Sequence, residues 1–212
     1  MVLLLQLLEC KQQLPAVADQ VSVRHEWIKR YTMSLREITK DLHHEAETTK
    51  FAKLLLSGKI TKEDYTNYLY QLLAIYNPIE FSGTRQGFFD TMPALPRFNS
   101  IYQDFLELEE KGKHYHWLPA TIEYHMYLIN LANDPTSRHL IKAHLYCRHM
   151  GDLNGGQIIK KQVPFTTGKF YEFEDADELK VSIRAELTDD LGNEARVAFK
   201  FAIKIMRELF NE

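Results

Sequence analysis

Gly151, Asp152, Gly155 and Gly156 place one carboxylate among three glycines, inside a stretch that otherwise has helical spacing. Upstream, the run from Pro135 to Met150 carries Leu140, Ile141, His144 and Leu145. Downstream, Ile158, Ile159, Lys160 and Lys161 resume the pattern. Each glycine inside a helix costs about 1 kcal/mol relative to alanine. What glycine offers against that cost is a bend, or close approach of the backbone to a ligand. A plain loop between two helices fits the same spacing. A phosphate cradle does not, because the Gly-Lys-Ser/Thr ending and the preceding strand are missing. A second stretch with chemical potential is His43-His44-Glu45-Ala46-Glu47. An imidazole there can ligate a metal or serve as a hydrogen-bonded, half-buried side chain. Lys180 and Arg184 stand four residues apart and present either an anion-binding edge or a solvated face.

The pattern Tyr146-x-Arg148-x-x-Gly151-Asp152-Leu153-x-Gly155-Gly156-Gln157 resembles the distal-helix motif of the haem oxygenases. Thr39-Lys40-Asp41-Leu42-His43-His44-Glu45-Ala46-Glu47 resembles that family's proximal-histidine motif. The likeness runs from about Ser34 to the C-terminus. It implies haem b as both substrate and cofactor, with His43 as the only protein ligand of its iron and Glu47 orienting the imidazole. Gly151 and Gly155 match positions that contact the haem face. Asp152 matches the residue that anchors a water network beside bound oxygen, with Arg148 and Asn154 able to extend it. Arg36, Tyr146, Lys180 and Arg184 match propionate-contacting positions, and Phe199 and Met206 of the last helix join the haem-binding set. The implied reaction yields biliverdin (the IXα isomer), ferrous iron and carbon monoxide from haem, O2 and electrons. Those electrons come from a separate donor such as a ferredoxin or a reductase; Lys160 and Lys161, just past the glycine motif, read as docking charges for an acidic donor or equally as solvated lysines. A bilin reductase is an expected downstream partner.

The elements that must position these residues are helices. Ser34-Leu-Arg-Glu37 has the form of a capping box. It opens a helix with Leu35, Ile38, Leu42 and Ala46 on one stripe and Gly58 as its stop. On that helix His43 falls at the stripe's border and His44 turns toward solvent. Thr61 starts a helix with Tyr65, Tyr68, Leu69, Leu72, Leu73 and Tyr76 inward, and Asn77-Pro78 should kink or end it. Residues 81–98, with two glycines and two prolines, read as a connector. Further helices follow over residues 99–111, 119–132, from Asp134-Pro135 onward, 176–191 and 193–210. The expectation is an all-α domain, 34–212, of roughly seven to eight helices, preceded by an extension, 1–33, with no assigned role.

With 26 basic and 29 acidic residues the chain is slightly acidic, which argues against a nucleic-acid partner. Its two cysteines, Cys10 and Cys147, fit no metal spacing and suit a reducing compartment. The apolar start, Met1 to Leu8, lacks a positive n-region and a clean cleavage site, so it does not read as a secretory signal. No apolar run approaches the ~20 residues a membrane span needs. The expectation is a soluble, cytoplasmic protein with no membrane anchor, a plastid location being left open. Two other readings share the helical architecture. A non-haem di-iron oxidase would need a matched set of inward Glu and His side chains. A non-catalytic haem-binding protein would leave its haem intact.

Overall fold

The computed structural model describes residues 34–212. The expected extension 1–33, with Cys10, lies outside the described residues. Among them are nine α-helices and three short 3-10 turns, with no strand. The α-helices are α1 (Leu35–Ile38), α2 (Lys40–Thr48), α3 (Lys50–Leu56), α4 (Lys62–Arg85), α5 (Phe98–Leu108), α6 (Pro119–Asn133), α7 (Ile141–Gln162), α8 (Ala176–Ala185) and α9 (Gly192–Glu208). The all-α expectation is met.

The stripe on α4 supplies much of the core. Tyr65, Leu69, Leu72, Ile75, Tyr76 and Ile79 are each at most 1% exposed. They pack against α5, α6 and α7. The last helix, α9, packs on α2, α6 and α7, so it joins the helix of His43 to the helix that holds the glycines.

Three local expectations change, and one open alternative closes. The helix expected to run from Ser34 to Gly58 is three segments. Thr39 turns its hydroxyl onto the Leu35 carbonyl at 2.7 Å, and extended Thr49 caps α3 by accepting from the Ala52 N–H at 3.2 Å. A threonine hydroxyl that competes for backbone groups favours such boundaries. Gly58, at φ +68°, does end α3. Pro78 neither ends nor interrupts α4, which continues to Arg85. Proline removes the N–H that the Ala74 carbonyl would receive, and His125 Nδ1 of α6 donates to that carbonyl instead, at 2.7 Å. The connector therefore begins only at Gln86. Asp134 does cap a turn, accepting from the Thr136 N–H at 2.9 Å, but α7 starts later, at Ile141. Finally, Gly151 to Gly156 is not a loop: α7 is helical for 22 residues straight through it.

Candidate functional site

The glycines of α7 divide by what surrounds them. A Cβ built on Gly156 would lie 2.6 Å from the Tyr171 ring, so this glycine lets the Lys169–Tyr171 turn seat closely on α7. Gly151 and Gly155, four residues apart on one helical face, are different. A Cβ on Gly151 would meet nothing within 4 Å, and one on Gly155 only Ile159 Cδ1 at 3.9 Å. Nothing among the described residues requires glycine at either place, although both lower helix stability. Their bare face suits a flat ligand laid against the backbone.

Asp152 sits half-buried between these glycines. Tyr76 of α4 donates its hydroxyl proton to Asp152 Oδ2 at 2.5 Å. Burial pushes the Asp152 carboxyl up to about 6, against the opposing pull of His149, the Tyr76 hydrogen bond, Arg148 and Arg97. Burial pushes the Tyr76 hydroxyl well above its ordinary value, and the Asp152 charge adds to the rise.

Arg148 lies one turn before Asp152 and is 9% exposed. Its guanidinium stands 5.4 Å over the Tyr124 ring, and its Nε and Nη2 have no hydrogen-bond partner among the described residues. Buried guanidinium donors without acceptors are costly, so this corner calls for water or ligand acceptors. Asn154 turns away, donating to the Met150 carbonyl of its own helix at 2.7 Å.

His43 is set by α2, which two ion pairs fix onto α9. Arg196 grips the Asp41 carboxylate at 2.7 and 2.8 Å, and Arg207 meets Glu45 at 2.9 Å. The Arg196 hydrogen bond holds the Asp41 carboxyl down at about 2. Contrary to the border position expected for it, the His43 side chain is 61% exposed; on that turn Leu42 is the buried residue. His43 Nδ1 lies 3.2 Å from Glu47 Oε1 one turn on, which leaves Nε2 as the outward nitrogen. Phe199 of α9 stands 5.8 Å from the His43 ring, and Met206 Sδ lies 3.8 Å from the Thr49 hydroxyl at the end of α2.

At the other end of α7, Tyr146 is half-buried against the small cluster of Leu35, Ala143, Leu191 and Ala195. Burial raises its hydroxyl above the ordinary value, while the nearby charges of Arg184 and Arg36 oppose that rise. The charges of two cations, one on α8 and one on α1, thus act on one phenol. Lys180 lies one turn before Arg184 but is tied to Asp177 at 2.9 Å.

The structure thus brings Gly151, Asp152, Gly155 and Arg148 together on α7, His43 and Glu47 on α2 near Phe199, and Tyr146 with Arg36 and Arg184. Sequence reading missed Tyr76 as a site residue, along with His149 and Glu80 behind it. A signal existed. Tyr76 and Glu80 are spaced i, i+4 on α4, and His149 and Asp152 i, i+3 on α7, so each helix aims a polar pair along its buried side. No group of three or more His, Cys, Asp or Glu able to hold a metal ion occurs among the described residues, as a di-iron site requires.

The residues present fit haem: an outward imidazole, a bare glycine face, unpaired buried donors and a pair of cations. Comparison with known proteins agrees. The chain is 29% identical over 205 residues to a heme oxygenase of Rhodella violacea, covering 84% of this chain and 86% of that one. It is 28% identical over 199 residues to heme oxygenase 1 of Synechocystis, covering 82% of each. Among solved structures, heme oxygenase-1 of that cyanobacterium in complex with heme superposes with a TM-score of 0.74 at 26% identity, covering 84% of this chain and 90% of that one. The heme oxygenase of Leptospira interrogans superposes with a TM-score of 0.72 at 25% identity, covering 83% and 100%. The heme oxygenase family model matches residues 29–208, and with that match the chain belongs to the haem oxygenase family.

Proposed function

We propose that this protein is a haem oxygenase that binds one haem between α2 and α7 and cleaves it to biliverdin, ferrous iron and carbon monoxide. The observation that carries this reading is the bare face of Gly151 and Gly155 on an unbroken helix, with Asp152 between them. His43 holds the iron through Nε2, and Glu47 fixes the ring by accepting from Nδ1. Arg36, Tyr146 and Arg184 receive the propionates, with Lys180 one turn away. Exposed ion pairs contribute only about 0.2–1 kcal/mol each, so they select the haem's rotation while burial of the porphyrin supplies the affinity. That rotation sets the IXα isomer. Phe199 and Met206 line the apolar wall on α9.

Bound haem supplies the iron that activates O2, and its own ring is what is oxidised. The chain's part is to orient it, exclude large side chains and manage protons. Gly151 and Gly155 keep side chains off the ring. Asp152, tethered by Tyr76, offers its other carboxylate oxygen to ordered water, and the Arg148 donors that lack a partner among the described residues extend that network. A carboxyl near 6 can accept and return a proton at neutral pH. Electrons arrive from a separate donor, a ferredoxin or a reductase. Biliverdin passes to a bilin reductase. The haem this site takes is haem b.

Haemin titration tests the assignment. Wild-type protein is expected to bind one haemin per chain with an imidazole-ligated spectrum, and His43→Ala to lose that spectrum. An unchanged spectrum in His43→Ala would remove His43 as the ligand, and a wild-type chain that binds no haemin would remove the reading altogether.

A further inference from the structure

Behind Asp152 lies a buried polar network that haem contact does not account for. His149 is completely buried, and its ring lies 5.2 Å from that of Tyr76, the phenol bonded to Asp152. Both His149 nitrogens are engaged. Nδ1 lies 3.2 Å from the Leu145 carbonyl, and a carbonyl only accepts, so Nδ1 carries a hydrogen. Nε2 lies 3.2 Å from Glu80 Oε1. A second hydrogen is needed there, on the imidazole or on the carboxyl.

The surroundings of Glu80 decide which. Its carboxylate accepts the backbone N–H of Arg97 at 2.5 Å and that of Phe98 at 3.1 Å, at the very start of α5. Backbone donors and a helix N-terminus both favour the anion. The proton therefore belongs to His149, and Glu80–His149 is a buried carboxylate–imidazolium pair.

We propose that this pair and Tyr76 are positioning residues for Asp152: the imidazolium keeps Asp152 a carboxylate, and the Tyr76 hydroxyl fixes which of its oxygens remains free. The proposal rests on the reading of Asp152 as the site's proton-handling group. Other groups also face Asp152. Arg148 lies on its own helix, Tyr65 and Tyr68 on α4, Arg97 just before α5, and Tyr171 on the turn beneath Gly156. Burial raises the Asp152 carboxyl, and among the groups opposing it His149 leads. With His149 uncharged, Asp152 would take up a proton at neutral pH and become a donor as well as an acceptor.

The test uses the full-length protein without haem, so its outcome is independent of haem binding. Nitrogen-15 spectra at neutral pH are expected to show both His149 nitrogens protonated. Carbon-13 titration of the Asp152 carboxyl is expected to move upward by about 1 unit or more in His149→Gln, with a smaller rise in Tyr76→Phe. A purely structural role for His149 would leave that midpoint in place. A neutral His149 in the wild type, or an unmoved or lowered midpoint in a folded His149→Gln, overturns the proposal. If His149→Gln does not fold, the wild-type nitrogen spectrum and Tyr76→Phe decide the matter by the same criteria.

Discussion

At Asp152 function and stability pull apart. Its carboxyl is pushed up to about 6 by burial, so between the ordinary carboxylate range and that point the folded chain holds a proton the unfolded chain has released. The stability tied to that proton is present at acid pH and lost as pH rises through about 6. The haem-free Asp152→Asn protein should therefore be more stable than wild type above that range, by about 1–3 kcal/mol, and the gap should close toward pH 4. Thermal melts of the two proteins across that window check this; a gap that widens on acidification would contradict it. Asn keeps an acceptor for Tyr76 but cannot exchange a proton, so the same variant should form little biliverdin. A residue that weakens the fold and serves chemistry is a familiar trade-off.

At the scale of the helix, Gly151 and Gly156 lie five residues apart and should respond oppositely to alanine. Gly151→Ala adds a methyl to open space in a helix, and the haem-free protein should gain about 0.5–1 kcal/mol. Gly156→Ala drives a methyl into Tyr171 and should lose about 1–3 kcal/mol. Denaturant melts separate the two; equal losses would show that Gly151 also has a packing role. His125→Leu on α6 should destabilise by about 1–3 kcal/mol by orphaning the Ala74 carbonyl of α4, and much of that loss should vanish in a Pro78→Ala background, where α4 supplies its own N–H. Independent, additive effects would break the link between His125 and Pro78. These two helices also show what local pattern can and cannot reveal. Apolar periodicity on α4 marks its buried face, because burial follows the 3.6-residue repeat. The survival of Pro78 within the helix depends on a histidine some fifty residues away, which no local pattern carries. The glycine run reads equally well as a loop, and only its surroundings, Tyr171 under Gly156 and nothing over Gly151, show a continuous helix with one packed and one bare face. His149 and Glu80 went unread for a related reason: a polar residue in an apolar stripe acquires meaning only when its partner across the core is known.

Over the whole molecule, α9 joins the parts. It holds α2 through Arg196 and Arg207, packs on α7 and α6, and contributes Phe199 and Met206 beside the His43 stretch. Among the described residues no helix is long and apolar enough to cross a membrane. The central claim is that this assembly consumes the haem it binds. The most direct measurement is the visible spectrum of the haemin-loaded protein in air, while a ferredoxin–reductase couple or ascorbate delivers electrons, with the product separated at the end. The account predicts decay of the main haem band, growth of a biliverdin band and recovery of the IXα isomer. Haem that stays intact while electrons are delivered by either donor would contradict it and leave a haem-binding protein without the cleavage activity.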